Sequence, residues 1–343
     1  MKISDLSFER PEALQAITPL EASGAPRDAG RLLVSRPGGH VHAEFNDLTR
    51  FLEYGDLLVI NESATLPASL PAVGLPGEFI VNLCTRYGSK LWLLEPRLSF
   101  SEPGPLDLQP GQAISVAGVR GLLIREYPGL DRLWFVRFEQ PLEPLLDRHG
   151  RPIRYGYVED SFPLANYQTL FSKIPGSAEM PSAARPFTRS LVGDLQRNGV
   201  EIAPIVLHTG VSSLEVETDI VEDQPLYPEP FEVPEATARR VNDVRSRGGK
   251  VIAVGTTVAR ALETAWDSGL VREASGFTRL FIHPEYGIQA FDGLLTGFHD
   301  PNTTHLALLH AVGGRKLILE AYDEAIRCGY LWHEFGDSHL IFR

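Results

Sequence analysis

The 343-residue chain has only two cysteines, Cys84 and Cys328. That is too few for a disulfide framework or a thiolate metal site and fits a reducing compartment. It has no uninterrupted apolar segment of membrane-spanning length, and its first residues, MKISDLSFER, lack the apolar core of a secretion signal. No membrane partner and a cytoplasmic location are therefore expected. Basic residues are in deficit: 32 Lys and Arg stand against 44 Asp and Glu, a net charge of -12. That balance disfavours broad nucleic-acid binding and leaves room only for a local basic patch. The remaining composition, 43% hydrophobic and 22% charged, is that of a globular protein, on a chain long enough that two domains are the natural division.

One stretch organises the rest. In KVIAVGTTVARALE, residues 250–263, Val251 to Val254 form a short apolar run suited to a strand buried on both faces of a parallel sheet. Gly255 permits a sharp turn, and Thr256 and Thr257 are expected to cap a helix carrying Val258, Ala261 and Leu262 on one face. A strand, a glycine-threonine turn and a helix place backbone N–H groups and a positive helix end at one sheet edge, where a carboxylate or phosphate can bind. The same pattern also describes an ordinary crossover without a ligand.

Further buried strands are expected at Leu32–Val34, with a hairpin partner over 40–45, at Leu57–Ile60 and at Val200–Leu207. A strand is also expected over 276–282. Helices are expected over 187–198, 234–247 and 306–328, with a short one over 48–52. Between about residues 66 and 140 the texture changes to short alternating segments separated by proline and glycine turns, which predicts a small antiparallel β-barrel. Residues 67–76 and 141–157 read as linkers on either side of it. The expected fold is an α/β main domain, residues 1–65 and 150–343, interrupted by a β-barrel domain at 66–149.

The ordered motifs RDAGRLLV (27–34), GDLLVINES (55–63), YQT (167–169), GVEIAPIVLHTG (199–210), GGKVIAVGTTVARALE (248–263), LLTGFHDP (294–301), AYDEAI (321–326) and FGDSHLI (335–341) resemble the S-adenosylmethionine:tRNA ribosyltransferase-isomerase family of queuosine biosynthesis along nearly the whole chain. The resemblance implies the same interrupted α/β fold. It also implies transfer and isomerisation of the ribosyl part of S-adenosylmethionine onto the aminomethyl group of a deazaguanine base in tRNA, with release of adenine and methionine. S-adenosylmethionine is then a substrate, and no metal is expected. A sulfonium acidifies its neighbouring C5′ protons, so the site needs a base, and expelling adenine needs an acid or a donor at a purine nitrogen. His299 is the first candidate for proton transfer, His208 the second, and Asp337 a candidate for orienting a donor. Gly255, Thr256, Thr257, Arg260, Thr296 and Phe298 are the candidates for holding S-adenosylmethionine. Arg260 has an alternative as a helical partner of Glu263, and Asp337 as the cap of a turn.

The sequence departs from the family pattern in places that concern the acceptor. Ala64 and Ser69 replace arginines, Pro186 replaces a histidine, and Ser212-Ser213-Leu214 replace a turn followed by the acids Glu215 and Glu217. Gln224 and Tyr227 stand for histidines, although Glu229 is retained; Gly297 and Asn302 replace an asparagine and a lysine, and Asp300 is new. Fewer cations weaken phosphate contacts, so tRNA remains a candidate partner but a disfavoured one. His305, His310 and His339 are also new, and the spacing of the first two does not suit a helical metal site. Three readings stay open: the queuosine-pathway enzyme, a divergent relative using S-adenosylmethionine or a related nucleoside on a small acceptor, and a binding protein without catalysis.

Overall fold

The computed structural model describes every residue except 76, 105, 155, 159, 160, 212–215 and 217. The substitutions noted at Ser212, Ser213, Leu214, Glu215 and Glu217 thus lie outside the described residues.

The main domain is built on a nine-stranded mixed sheet. Its order is Ala274–Thr278, Glu229–Val233, Glu201–Leu207, Leu57–Asn61, Val251–Val254, Gly293–Gly297, Ser338–Phe342, Arg31–Arg36 and Gly39–Glu44. The four strands in the middle, from Glu201–Leu207 to Gly293–Gly297, run parallel. Apolar runs became central strands because each residue in them has a hydrophobic layer to enter. Leu57, Val59, Val251 and Ala253 point into one core, and Leu58, Ile60, Ile252 and Val254 into the other. The first layer is covered by the helices Glu235–Ser246, Thr256–Thr264, Thr304–Gly313 and Arg315–Arg327; the second is covered by Arg189–Arg197 and the 3-10 segment Phe45–Arg50. Burial of this kind is worth about 1.5–3 kcal/mol for each large aliphatic side chain, which outweighs single weak propensities within a strand.

The expected barrel is present and closed. Its six antiparallel strands follow the order Leu130–Phe138, Leu91–Arg97, Gly77–Arg86, Ser69–Gly74, Ala113–Val116 and Val119–Tyr127. Where the chain leaves and re-enters the main domain, Ser63–Thr65 pairs in parallel with Ile174–Ser177.

Some expectations need correction. Ser69–Gly74 is a barrel strand and not a linker: Leu70 and Ala72 point inward while Pro71 and Val73 are exposed, an alternation hidden by Pro67 and Pro71. The second supposed linker contains the helix Glu143–His149. The helix expected over 306–328 is two helices, broken at Gly314, whose φ of 77° no helix interior tolerates. The strand at 276–282 is Ala274–Thr278. Finally, Gly255 itself is the N-cap of Thr256–Thr264, and neither threonine hydroxyl caps the helix; Thr257 Oγ1 instead accepts a hydrogen bond from Asn61 Nδ2 at 3.3 Å.

Candidate active site

The C-terminal ends of the parallel strands open into a cavity of about 550 Å³ whose other wall comes from the barrel. Open α/β sheets place ligands at this edge, and the volume is that of a nucleoside-sized site. The sheet side contributes Gly255, Thr256, Thr257, Arg260, Thr296, Gly297, Phe298, His299 and Asp300; the barrel contributes Glu95, Arg97 and Arg132. Thr303, His305, His333, Glu334, Tyr157, Glu179 and Thr209 are also among the polar lining.

Gly255 makes the turn with φ 100°, and a Cβ there would lie 3.3 Å from Ala183 Cβ. With Gly255 as the cap, the N–H groups of the first helical turn have no acceptor within the helix and face the cavity together with the helix dipole. Arg260, one turn further on, does not pair with Glu263. It forms an ion pair with Glu229 and donates from Nε to the Leu280 carbonyl at 3.0 Å. Glu263 instead accepts from the backbone N–H groups of Gln289 and Ala290, both at 2.8 Å.

His299 is half-buried at the cavity edge. Its Nε2 meets Thr296 Oγ1 at 2.9 Å, its backbone N–H donates to the Tyr322 hydroxyl at 3.1 Å, and its ring stacks on His305 with centroids 4.7 Å apart. Enclosure, followed by the neighbouring His305, His333 and His339, holds its pKa well below that of an ordinary imidazole. His305 is lowered to about 4 by burial and by the nearby Arg260 and His333. Both rings are therefore neutral at pH 7, and a neutral imidazole is a proton acceptor. Asp300 clamps His333 and accepts from Arg10 Nε at 2.9 Å.

The opposite situation holds at Glu334. Burial, together with the facing carboxylate of Glu179, pushes its pKa up to about 8, with Arg185 opposing. Sequence reasoning missed both acids; two carboxyls separated by some 155 positions in the chain leave no local pattern to read. The Glu95, Arg97 and Arg132 cluster is hidden in the same way, because strand alternation does not tell which barrel residues meet the main domain. There Arg97 Nη1 donates to Glu95 Oε2 at 3.2 Å, while the Nε atoms of Arg97 and Arg132 are buried without an acceptor among the described residues.

Two candidates lie outside this lining. His208 Nδ1 meets Ser63 Oγ at 2.7 Å, in a cluster with Ser177, and burial lowers its pKa. Asp337 accepts from the Arg31 backbone at 2.8 Å, from its Nη2 at 2.7 Å and from the Leu331 N–H at 2.8 Å, joining the N-terminal and C-terminal strands. Of the new histidines, only His305 reaches the cavity. His310 is buried in its helix, and His339 bonds Ser35 at 2.8 Å while stacking on Phe298 with centroids 5.3 Å apart. Elsewhere, His42, Glu324 and Cys328 hold donor atoms within 4.8 Å of one another. Glu324 there also binds Arg327 through both carboxylate oxygens, as in an ordinary surface ion-pair cluster.

Comparison with known proteins settles the family. The family described as "Queuosine biosynthesis protein" matches residues 3–341. The chain belongs to it. An S-adenosylmethionine:tRNA ribosyltransferase-isomerase from Moorella thermoacetica is 37% identical over 99% of this chain and 100% of its own length. One of the same name from Carboxydothermus hydrogenoformans is 36% identical with equal coverage. The crystal structure of the S-adenosylmethionine tRNA ribosyltransferase of Thermotoga maritima aligns with a TM-score of 0.56 at 27% identity, over 98% of this chain and 100% of that one. Membership of the queuosine biosynthesis family makes this chain a transferase-isomerase and accounts for its interrupted fold. It lends no support to the expectation that tRNA is disfavoured, since relatives named for tRNA match end to end. Among the described residues, no helix is long and apolar enough to cross a membrane.

Proposed function

We propose that the cavity binds S-adenosylmethionine, and that the protein transfers and isomerises its ribosyl part onto a 7-aminomethyl-deazaguanine base in tRNA, in the cytoplasm. The observation that carries this reading is the joining of Gly255, Thr256, Thr257, Arg260, Thr296, Phe298 and His299 in one nucleoside-sized cavity, in a chain whose relatives are named for that reaction.

The roles follow from the chemistry. The methionine carboxylate sits at the free N–H groups of Thr256 and Thr257, where the helix dipole favours an anion. Arg260, already neutralised by Glu229, shapes the floor of that subsite. His299, neutral and braced by Thr296 and His305, accepts the acidified C5′ proton. Such general-base assistance is worth about 10²–10⁴ in rate. Phe298, 1% exposed and packed among Tyr322, Tyr330, Trp332 and His339, supports the cavity wall from the core side. On the barrel wall Arg97 is buried and paired with Glu95, and Arg132, the more exposed of the two, supplies the cationic contact for a tRNA acceptor. His208 and Asp337 act at a distance, by holding strand ends in place.

The test is incubation of the pure protein with S-adenosylmethionine, with and without tRNA carrying the aminomethyl-deazaguanine, followed by mass detection of adenine and methionine. Release that depends on that tRNA is the expected result. Release with an unrelated acceptor, or none at all, would overturn the reading.

A further inference from the structure

The assignment of a base leaves the departing adenine without an acid. Two carboxyl groups, Glu179 and Glu334, line the same cavity as His299. Glu179 is 6% exposed. Among the described residues the Glu334 carboxyl has no hydrogen bond or ion pair, and the nearby Arg185 is engaged by Glu21 and stacks over Phe335. Both carboxyls line one enclosed cavity, and burial and the nearby negative charge of Glu179 both favour the neutral form of Glu334. The flanking residues hold Glu334 in place: His333 is clamped by Asp300, and Phe335 packs against Phe162 and Tyr167.

A neutral carboxylic acid offers one donor and one acceptor side by side. Adenine offers the complement, an amino N–H beside the ring nitrogen N7. An ionised carboxylate lacks the donor and fits instead a guanine-type edge with two N–H groups. We infer that the Glu334 carboxyl is the adenine-facing acid of this site, pairing with the amino group and N7 of the purine and giving its proton to N7 as the base leaves. This rests on the function proposed above. In the step, the C1′–N9 bond breaks and its electron pair passes to the purine. The Glu334 O–H proton goes to N7, so that neutral adenine departs and Glu334 is left as a carboxylate. The ribose ring oxygen lends a lone pair to C1′ until the acceptor amine adds there.

Environment separates the two roles in the expected direction: the imidazole of His299 is kept neutral and the carboxyl of Glu334 protonated, an arrangement that sorts acid from base at one pH. The charged and titratable groups around Glu334 are Glu179, Arg185, Tyr157, Tyr167 and the His333–Asp300 pair. Of these, Glu179 raises the pKa of Glu334 and Arg185 opposes it.

The test has two readouts on the full-length protein, adenine binding by calorimetry from pH 6 to 9.5 and turnover with modified tRNA. Wild type should bind adenine about tenfold more weakly for each pH unit above about 8. In Glu334→Gln, whose amide keeps a donor and an acceptor, that pH dependence should vanish. Adenine release by Glu334→Gln should fall at least about 10²-fold with S-adenosylmethionine binding retained. Glu334→Ala should lose both adenine affinity and turnover. Unchanged pH dependence and turnover in Glu334→Gln, with an active wild type, would overturn this inference and leave the proposed function standing. An inactive wild type whose adenine binding still follows Glu334 would do the reverse.

Discussion

Arg260 and Glu229 form a nearly buried ion pair that links the first turns of the helix Thr256–Thr264 to the strand Glu229–Val233. Their side chains are 16% and 4% exposed, and Glu229 also accepts from the Gly210 N–H at 2.8 Å. Removing one partner leaves an uncompensated charge, at a cost of about 3–5 kcal/mol. Arg260→Met alone should therefore lower the unfolding free energy by about that amount, and Glu229→Gln in the same background should restore part of it. A double-mutant cycle by urea denaturation should give a coupling of about 2 kcal/mol. A coupling near zero would show that the pair does not hold the helix.

Gly255 should resist substitution. Its φ of 100° is unfavourable for any residue with a Cβ, and that Cβ would press on Ala183. Gly255→Ala is expected to cost about 1–3 kcal/mol. It should also turn the helix N-terminus and raise the Kd for S-adenosylmethionine more than it lowers Tm would suggest. Thermal unfolding and equilibrium dialysis on the same preparation measure the two effects.

These two residues show what was legible in the sequence. Local geometry was: an apolar run followed by glycine and a helical pattern yields strand, turn and helix because each step depends on neighbours within a few positions. The part of the cavity wall from Gly255 to Thr257 follows from that pattern, whereas Thr296, Phe298 and His299 follow only from the family resemblance. Glu263 was a natural partner for Arg260 by helical spacing, yet the guanidinium turned to Glu229, 31 positions away. Only tertiary packing decides such a choice. Glu179, Glu334 and the barrel arginines were unread for the same reason, and Ser69–Gly74 because its prolines imitate a linker.

Asp337 tests the difference between holding and reacting. Its carboxylate receives the Arg31 N–H and guanidinium and the Leu331 N–H, which ties the strand Arg31–Arg36 to Ser338–Phe342. Asp337→Asn keeps the shape but loses the charge-assisted bonds, worth about 1.5–3 kcal/mol. Tm should fall, while kcat at a temperature where the variant remains folded should stay within about twofold of wild type. A large loss of kcat with an unchanged Tm would place Asp337 in the chemistry.

Acidity should act on stability through the buried histidines together, His339 among them, and on rate through His299. His339 is fully buried, and burial, with His40 nearby, lowers its pKa to about 3. Its folded pKa lies below the unfolded value of 6.5, so the unfolded chain binds more protons between the two. The stabilising contribution is complete above pH 6.5 and is lost as pH falls from there towards 3, with a slope of about 1.4 kcal/mol per unit at most. His339→Phe, which keeps the stack on Phe298, should flatten the fall of Tm between pH 6.5 and 4. The rate should instead follow His299, which must be unprotonated to act as a base. Turnover is expected to hold at pH 6.5 and to fall only below it, as pH passes through the depressed pKa, and His299→Gln should remove that acid limb along with about 10²–10⁴ of the rate. If His339→Phe moves the rate profile and His299→Gln leaves it unchanged, the base is not His299.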